Sequence, residues 1–326
     1  MRIIDVHNHY YPPAYLEAVE RGPSTVRFTR DGEGNPVLHY PGDYNVVVPG
    51  HSDLGYRERV LEEQGVDVQV VTFTAPGAHV EDPSRAVELC RLVNDDLAAA
   101  SRRPSGRIAA LATLPLNDPA ASADELSRAM TELGLPGAMV FANVQGVALA
   151  DDRFLPLWER ADELGAVIHI HPTQAPGVEA MTEYWLLPLV GFLMDTTLAA
   201  AGLVFAGVPE RFPRIRWVLG HLGGTIPYLV ERLDRGWRAF PECRERIDRP
   251  PSEYLRSFFY DGVNFDPKAL RLAVDFAGAS QILAGSDYPH RIGSIPLMKE
   301  VVEGAGLSGD ERAAILGGNA ESVYGL

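Results

Sequence analysis

Apolar and polar residues alternate along this chain in two rhythms. Short apolar runs of strand length lie at 3–7, 66–73, 108–113, 138–142, 166–171, 215–220, 258–262 and 282–285. Between them apolar positions recur every three or four residues, the spacing of a helix with one buried face. Asp82 and Asp118 each precede a proline, an N-cap followed by the one residue whose missing N–H is no loss in the first turn. Ser308 and Glu311 have the spacing of a capping box. Eight strands, each followed by a helix, predict a parallel sheet, and eight such units in 326 residues predict a closed (β/α)8 barrel. A doubly wound open sheet is the alternative, but no G-x-G-x-x-G follows any strand to support a dinucleotide-binding version.

Two insertions interrupt the alternation. Residues 10–51 separate the first strand from its helix, which opens near Ser52, and 26–40 read as a hairpin turning through Asp31, Gly32, Glu33, Gly34 and Asn35. Residues 172–184 form a loop after the fifth strand. Neither looks like an independent unit, so 1–326 is expected to be a single domain. The stretch 186–207 is apolar enough to be mistaken for a membrane span, yet it contains Pro188, Asp195, Thr196 and Thr197. A central aspartate is costly in lipid, so a buried or interface helix is expected there and no membrane partner.

Charge narrows the functions further. The formal net charge is −15, from 44 acidic against 29 basic residues, which argues against a nucleic-acid partner. No basic segment precedes the first apolar run, and the two cysteines, Cys90 and Cys243, lack metal-type spacing. A cytoplasmic protein with free thiols is expected.

In a barrel of this kind chemistry sits at the C-terminal ends of the strands. His7 and His9 follow the first strand two residues apart, so their side chains project to one side. The fifth strand ends in His169 and His171, the sixth leads to His221, and the eighth to Asp287 and then His290. Imidazole plus carboxylate without thiolate suits a catalytic Zn²⁺, or Mn²⁺ or Fe²⁺. His169 points inward one layer deeper than His171 and is expected to be packed and hydrogen-bonded rather than a ligand. His221 could be a ligand or a general base, and His290, beyond a turn, could be loop surface. His39, His51 and His79 lie away from the strand ends and are set aside. The fourth strand ends without a lysine, and the only lysines, Lys268 and Lys299, are far away in sequence. A bridging carboxylated lysine is thereby excluded, and one metal is expected rather than two.

The ordered set of H-x-H after strand 1, His after strand 5, His after strand 6 and Asp after strand 8 resembles the amidohydrolase superfamily. More narrowly, "QGVDVQVV" at 64–71, "ALATLPL" at 110–116, "HIHP", "LGHLGG", "RPPSEYL" at 249–255, "FFYDGVNFDPKAL" at 258–270 and "AGSDYP" resemble the branch typified by 2-amino-3-carboxymuconate-6-semialdehyde decarboxylase. The resemblance implies that His7, His9, His171 and Asp287 bind one divalent metal, usually zinc, and that His221 manages the proton of metal-bound water. It also implies a homodimer in which Arg232, eleven residues after His221, reaches the partner's active site, with Tyr228, Leu229, Leu233 and the 186–207 stretch at the interface. The chain departs from that branch in two places. Asn45 stands where the namesake has an arginine for the substrate carboxylate, and His290 and Arg291 replace an aromatic residue and a proline.

These readings converge on a metal-dependent, non-oxidative decarboxylase of an unsaturated or aromatic carboxylic acid. Asp287 and His221 hold and move the proton, and Arg291, Arg232, His290 and Asn45 are candidate substrate contacts. A hydrolase or hydratase using the same metal-bound hydroxide, and a structural metal-binding barrel, are the alternatives. A structural site would be closed and would not need a spare base.

Overall fold

The computed structural model describes residues 2–40, 43–174 and 176–326. Eight parallel strands form two hydrogen-bonded groups. The first holds β1 (Ile4–Asp5), β2 (Val68–Val71) and β3 (Ile108–Ala110). The second holds β4 (Gly137–Phe141), β5 (Val167–His171), β6 (Arg216–Leu219), β7 (Phe259–Asp261) and β8 (Ile282–Leu283), in that order across the sheet. Single parallel bridges join the two groups at both edges. Ala112 pairs with Ala138 between β3 and β4, and Asn8 pairs with Tyr288 between β1 and β8. Val6 N also donates to the Ala284 carbonyl at 2.9 Å. The cylinder is therefore closed, as the alternation predicts, and the open-sheet alternative is set aside.

The strands are buried except at Ala109, Arg216 and Phe259, which are half-buried, because helices cover the outside and side chains fill the inside. Gly285, just after β8, permits close packing at the mouth. A Cβ there would lie 2.9 Å from Cβ of His7 and 3.4 Å from that of Asp261.

The helix starts follow the sequence with one difference. Asp118 Oδ1 accepts from Ala121 N at 3.0 Å, and Ser308 and Glu311 form the reciprocal capping box. Asp82 stands at its N-cap position but makes no side-chain cap bond.

The first insertion is more ordered than the hairpin expected of it. A helix, Pro13–Arg21, precedes an antiparallel sheet of Arg27–Arg30, Pro36–Tyr40 and Asp43–Val46. The third of these strands, which carries Asn45 opposite Leu38, has no apolar alternation strong enough to announce it. A short helical turn, Pro49–Ser52, then leads into the helix Leu54–Glu63.

The apolar stretch after β5 forms one continuous helical segment from 187 to 205. By length and composition it could cross a membrane, with mean hydropathy 1.7, but half of it is buried inside the protein. Apolar residues lie on both of its sides, with Leu187, Ala200, Leu203 and Val204 buried. Asp195, Thr196 and Thr197 face inward, whereas Leu189, Val190, Met194 and Leu198 are exposed. Asp195 accepts from Asn143 Nδ2 and Thr173 N, each at 2.9 Å, and so ties the loops after β4 and β5 to this helix.

Candidate functional site

The strand ends bring five of the predicted side chains to one point at the barrel mouth. Nitrogens of His7 and His9 and a carboxylate oxygen of Asp287 lie within 4.8 Å of one another, and so do nitrogens of His7, His171 and His221. His7 is common to both sets. His9 Nε2 is 2.9 Å from Asp287 Oδ1, and His7 Nε2 is 3.6 Å from the same oxygen. All five residues are buried. His221 and Asp287 both sit in the left-handed region, at φ 51° and 57°. Such backbone is uncommon outside glycine and concentrates at functional sites.

Hydrogen bonds on the outer side of the rings set which nitrogen faces the centre. His7 Nδ1 is 2.5 Å from Asp261 Oδ2, so it carries a proton and its Nε2 is turned inward, where it is buried without a partner. His171 Nδ1 donates to the Pro172 carbonyl at 2.7 Å, which leaves Nε2 as a lone pair. A histidine held by carboxylate or carbonyl on one nitrogen and bare on the other is the usual preparation for a metal. The donors present therefore fit a divalent cation.

The electrostatics agree. Burial opposes charge on His7, but the Asp261 carboxylate overrides it and raises the pKa to about 9. Asp261 itself is held well below the ordinary carboxylate range despite its burial, by His7 and then His169. Burial, then neighbouring imidazoles, push His9 and His171 well below the usual value, and burial and His7 bring His221 down to about 4. His9, His171 and His221 are thus neutral and ready for a cation, whereas His7 must give up a proton to bind it.

His169 behaves as expected, with Nε2 bonded to Asp261 Oδ2 at 3.2 Å beneath the cluster. Asp261 and Asp5 are functional residues the sequence reading missed. Asp5 lies under the site and accepts from Ser286 Oγ at 2.5 Å and Gln69 Nε2 at 2.7 Å. The strand-end filter applied to β7 would have found Asp261, and the period of two that paired His7 with His9 would have added Asp5. Arg57 is also fully buried, beneath the loop that carries His9. Neither lysine joins the clusters: Lys268 is exposed, and Lys299 Nζ donates to the Gln64 carbonyl at 2.7 Å.

Above the donors opens a cavity of about 380 Å³. Its walls are largely aromatic and apolar, with Tyr44, Trp185, Leu189 and Phe192 among them, and His171, His221 and Asp287 also line it. Asn45, His290 and Arg291 border it as anticipated. His290 is not mere loop surface, because its ring centroid is 4.6 Å from that of His9. His51, set aside in the sequence, is a correction. The short turn before helix Leu54–Glu63 carries it into the cavity wall, with its ring 5.1 Å from His290. Arg232 does not reach the cavity of its own chain. It is exposed on the helix Ile226–Ala239, and nearby Asp234 accepts from Ser252 rather than from Arg232.

Proteins similar to this chain include several decarboxylases. The chain is 33% identical over 279 residues to 2-amino-3-carboxymuconate-6-semialdehyde decarboxylase of Dictyostelium discoideum, covering 84% of this chain and 77% of the relative. The crystal structure of 5-carboxyvanillate decarboxylase from Sphingomonas paucimobilis superposes with a TM-score of 0.85 at 26% identity, covering 100% of this chain and 99% of the other. A dihydroxybenzoic acid decarboxylase from Polaromonas sp. JS666, solved with bound manganese and 2-nitroresorcinol, shares the fold at a TM-score of 0.82 and 24% identity, covering 100% of this chain and 97% of the other. The sequence model of the family described as Amidohydrolase matches residues 4–326. With that match across nearly the whole length, a closed parallel barrel and a histidine–aspartate centre at its mouth, the chain belongs to the amidohydrolase family.

Proposed function

We propose that this protein is a divalent-metal-dependent, non-oxidative decarboxylase of an aromatic or unsaturated carboxylic acid. The observation that carries the reading is the meeting of the five-donor cluster with a ring-sized, mostly apolar cavity. His7, His9, His171 and Asp287 would hold the metal, with zinc preferred for an imidazole and carboxylate set and Mn²⁺ or Fe²⁺ as alternatives. The bound ion supplies Lewis acidity and a positive charge against which the substrate's oxygens are oriented.

The chain's own groups do the rest. Asp287 and His221 hold the proton beside the carbon that bears the carboxylate, and the proton is delivered to that carbon. The carbon–carboxylate bond then breaks, its electron pair returns to the unsaturated system, and CO₂ leaves. His221, neutral and strained at the end of β6, is suited to accept and return a proton. Arg291, the one arginine or lysine among the described residues lining the cavity, guides the substrate carboxylate from the rim.

We further propose a homodimer. Leu189, Val190, Met194 and Leu198 form an exposed apolar stripe on a helix whose polar residues face inward, and Tyr228 and Arg232 are exposed on the helix after β6. A second copy of the chain is the partner whose cover would bring Arg232 to a neighbouring active site.

The test is a screen of ring and muconate carboxylates with metal-loaded protein, read by CO₂ release. Release of CO₂ without uptake of water is expected, and products that have gained water would reject decarboxylation in favour of hydrolysis or hydration. His221→Ala is expected to keep its metal and lose roughly 10²–10⁴-fold in rate. A metal-free His221→Ala protein would make His221 a ligand instead.

A further inference from the structure

The wall built by the first insertion holds a polar pair whose hydrogen-bonding roles are fixed. Asn45 Nδ2 donates to Tyr11 Oη at 2.7 Å and to the Ala75 carbonyl at 2.9 Å. A carbonyl can only accept, so the orientation of the amide is set and both of its N–H groups are used. What Asn45 retains for a ligand is Oδ1, an acceptor. His51 is fixed in the opposite sense. Its Nδ1 accepts from Val48 N at 3.2 Å, which places the ring proton on Nε2. That Nε2–H is buried without a partner, and the residue is only 2% exposed. Burial, then His290 and Arg57, hold the imidazole neutral. Both residues line the cavity, and both meet Tyr11, whose ring centroid is 5.4 Å from that of His51.

A buried donor left unpartnered is costly unless something answers it, and the same cavity wall offers an acceptor at Asn45. We propose that Asn45 and His51 are a specificity pair that recognises an uncharged hydroxyl on the substrate, accepting its proton at Asn45 Oδ1 and donating to its oxygen from His51 Nε2. Other substituents fit this wall poorly. A carboxylate only accepts, so it would be repelled by Asn45 Oδ1 and by Asp43, which lines the same cavity. An ammonium only donates and would leave the His51 N–H unanswered. A methyl group would leave both unanswered. The insertion thus contributes a wall without positive charge to the cavity: its lining residues include no lysine or arginine, and one carboxylate, Asp43.

This inference rests on the site binding carboxylic acids, and the experiment separates the two. Binding of 2-, 3- and 4-hydroxybenzoate to Mn²⁺-loaded protein is measured against the methylbenzoate and benzenedicarboxylate of the same substitution. At least one hydroxybenzoate is expected to bind about 10-fold or more tightly than its methyl and carboxyl counterparts, since a site built to hydrogen-bond a hydroxyl rejects analogues without one. His51→Leu is expected to bring that preference to within about 3-fold, and His51→Gln, whose amide nitrogen takes the place of Nε2, to restore it. Metal content and melting temperature are followed in each variant. If His51→Leu loses its metal or its fold, Asn45→Leu carries the same test. Acids that bind with no hydroxyl preference, or a preference that survives both substitutions, overturn the specificity pair and leave the decarboxylase reading standing. Failure of every acid to bind to protein that holds its metal overturns both.

Discussion

His7 depends on Asp261 for its usefulness. The carboxylate fixes a proton on Nδ1 and turns Nε2 toward the centre. Asp261→Asn keeps the shape but removes the charge, and divalent-metal affinity measured by competition with a chelator is expected to fall roughly 10–100-fold. An unchanged affinity would show that Asp261 only packs. The same pair gives metal uptake a pH dependence. In metal-free protein His7 holds a second proton below about pH 9, and a metal must displace it. Affinity is therefore expected to fall as pH drops below about 9, with protons released into a weakly buffered solution on metal addition. Affinity that is flat between pH 6 and 9 would contradict this. At this scale the sequence was readable where residue type and position coincide. His7, His9, His171, His221 and Asp287 announce themselves at strand ends. His51 does not, because its place in the cavity wall depends on how a short helical turn is set down, and no local pattern encodes that.

The elements were legible in proportion to their periodicity. The barrel strands are continuous apolar runs, and their helices carry caps and prolines. The strand Asp43–Val46 and the helix Pro13–Arg21 are short and weakly patterned, so tertiary contacts rather than local preference decide them. Helix Leu54–Glu63 is instructive. Its charged sequence reads as a solvent face, yet Arg57 is fully buried and uses its whole guanidinium fork. It donates to Asn8 Oδ1 at 2.8 Å, Gln69 Oε1 at 2.7 Å, the Gly50 carbonyl at 2.7 and 3.1 Å, and the His9 carbonyl. This one side chain joins the insertion, β2 and the H-x-H loop. Arg57→Met leaves those acceptors unmet, and urea unfolding of the metal-free protein is expected to show a loss of about 3 kcal/mol or more. Arg57→Lys is expected to recover only part, since an ammonium lacks the planar fork. A loss below about 1 kcal/mol in Arg57→Met would show that water replaces the fork.

For the molecule as a whole, the exposed apolar stripe on the helix at 187–205 predicts assembly. Sedimentation is expected to give a dimer, and Leu198→Asp, placed on the exposed stripe, is expected to shift it toward monomer. A wild-type monomer at working concentration would reject the interface. The role of Arg232 is separable from assembly. An inactive Arg232→Ala chain mixed with an inactive His221→Ala chain is expected to regain activity once subunits exchange, because one site of the mixed dimer then holds both native residues. No recovery despite confirmed exchange would exclude action across the interface. Sequence exposed the apolar stretch but not which of its faces points outward; that follows from Asp195 being claimed by Asn143 and Thr173 inside.

The contact between His9 and Asp287 spans 278 positions of sequence, and it lies on the seam where β1 meets β8. While the chain is being synthesised, the two histidines emerge early and wait. Their carboxylate partner does not exist until nearly all of the protein has been made. A nascent chain can therefore offer a passing ion only a loose pair of imidazoles, and metal acquisition belongs to the period after translation. Closing the seam in the backbone, through Asn8 and Tyr288, is what then sets imidazole and carboxylate side by side.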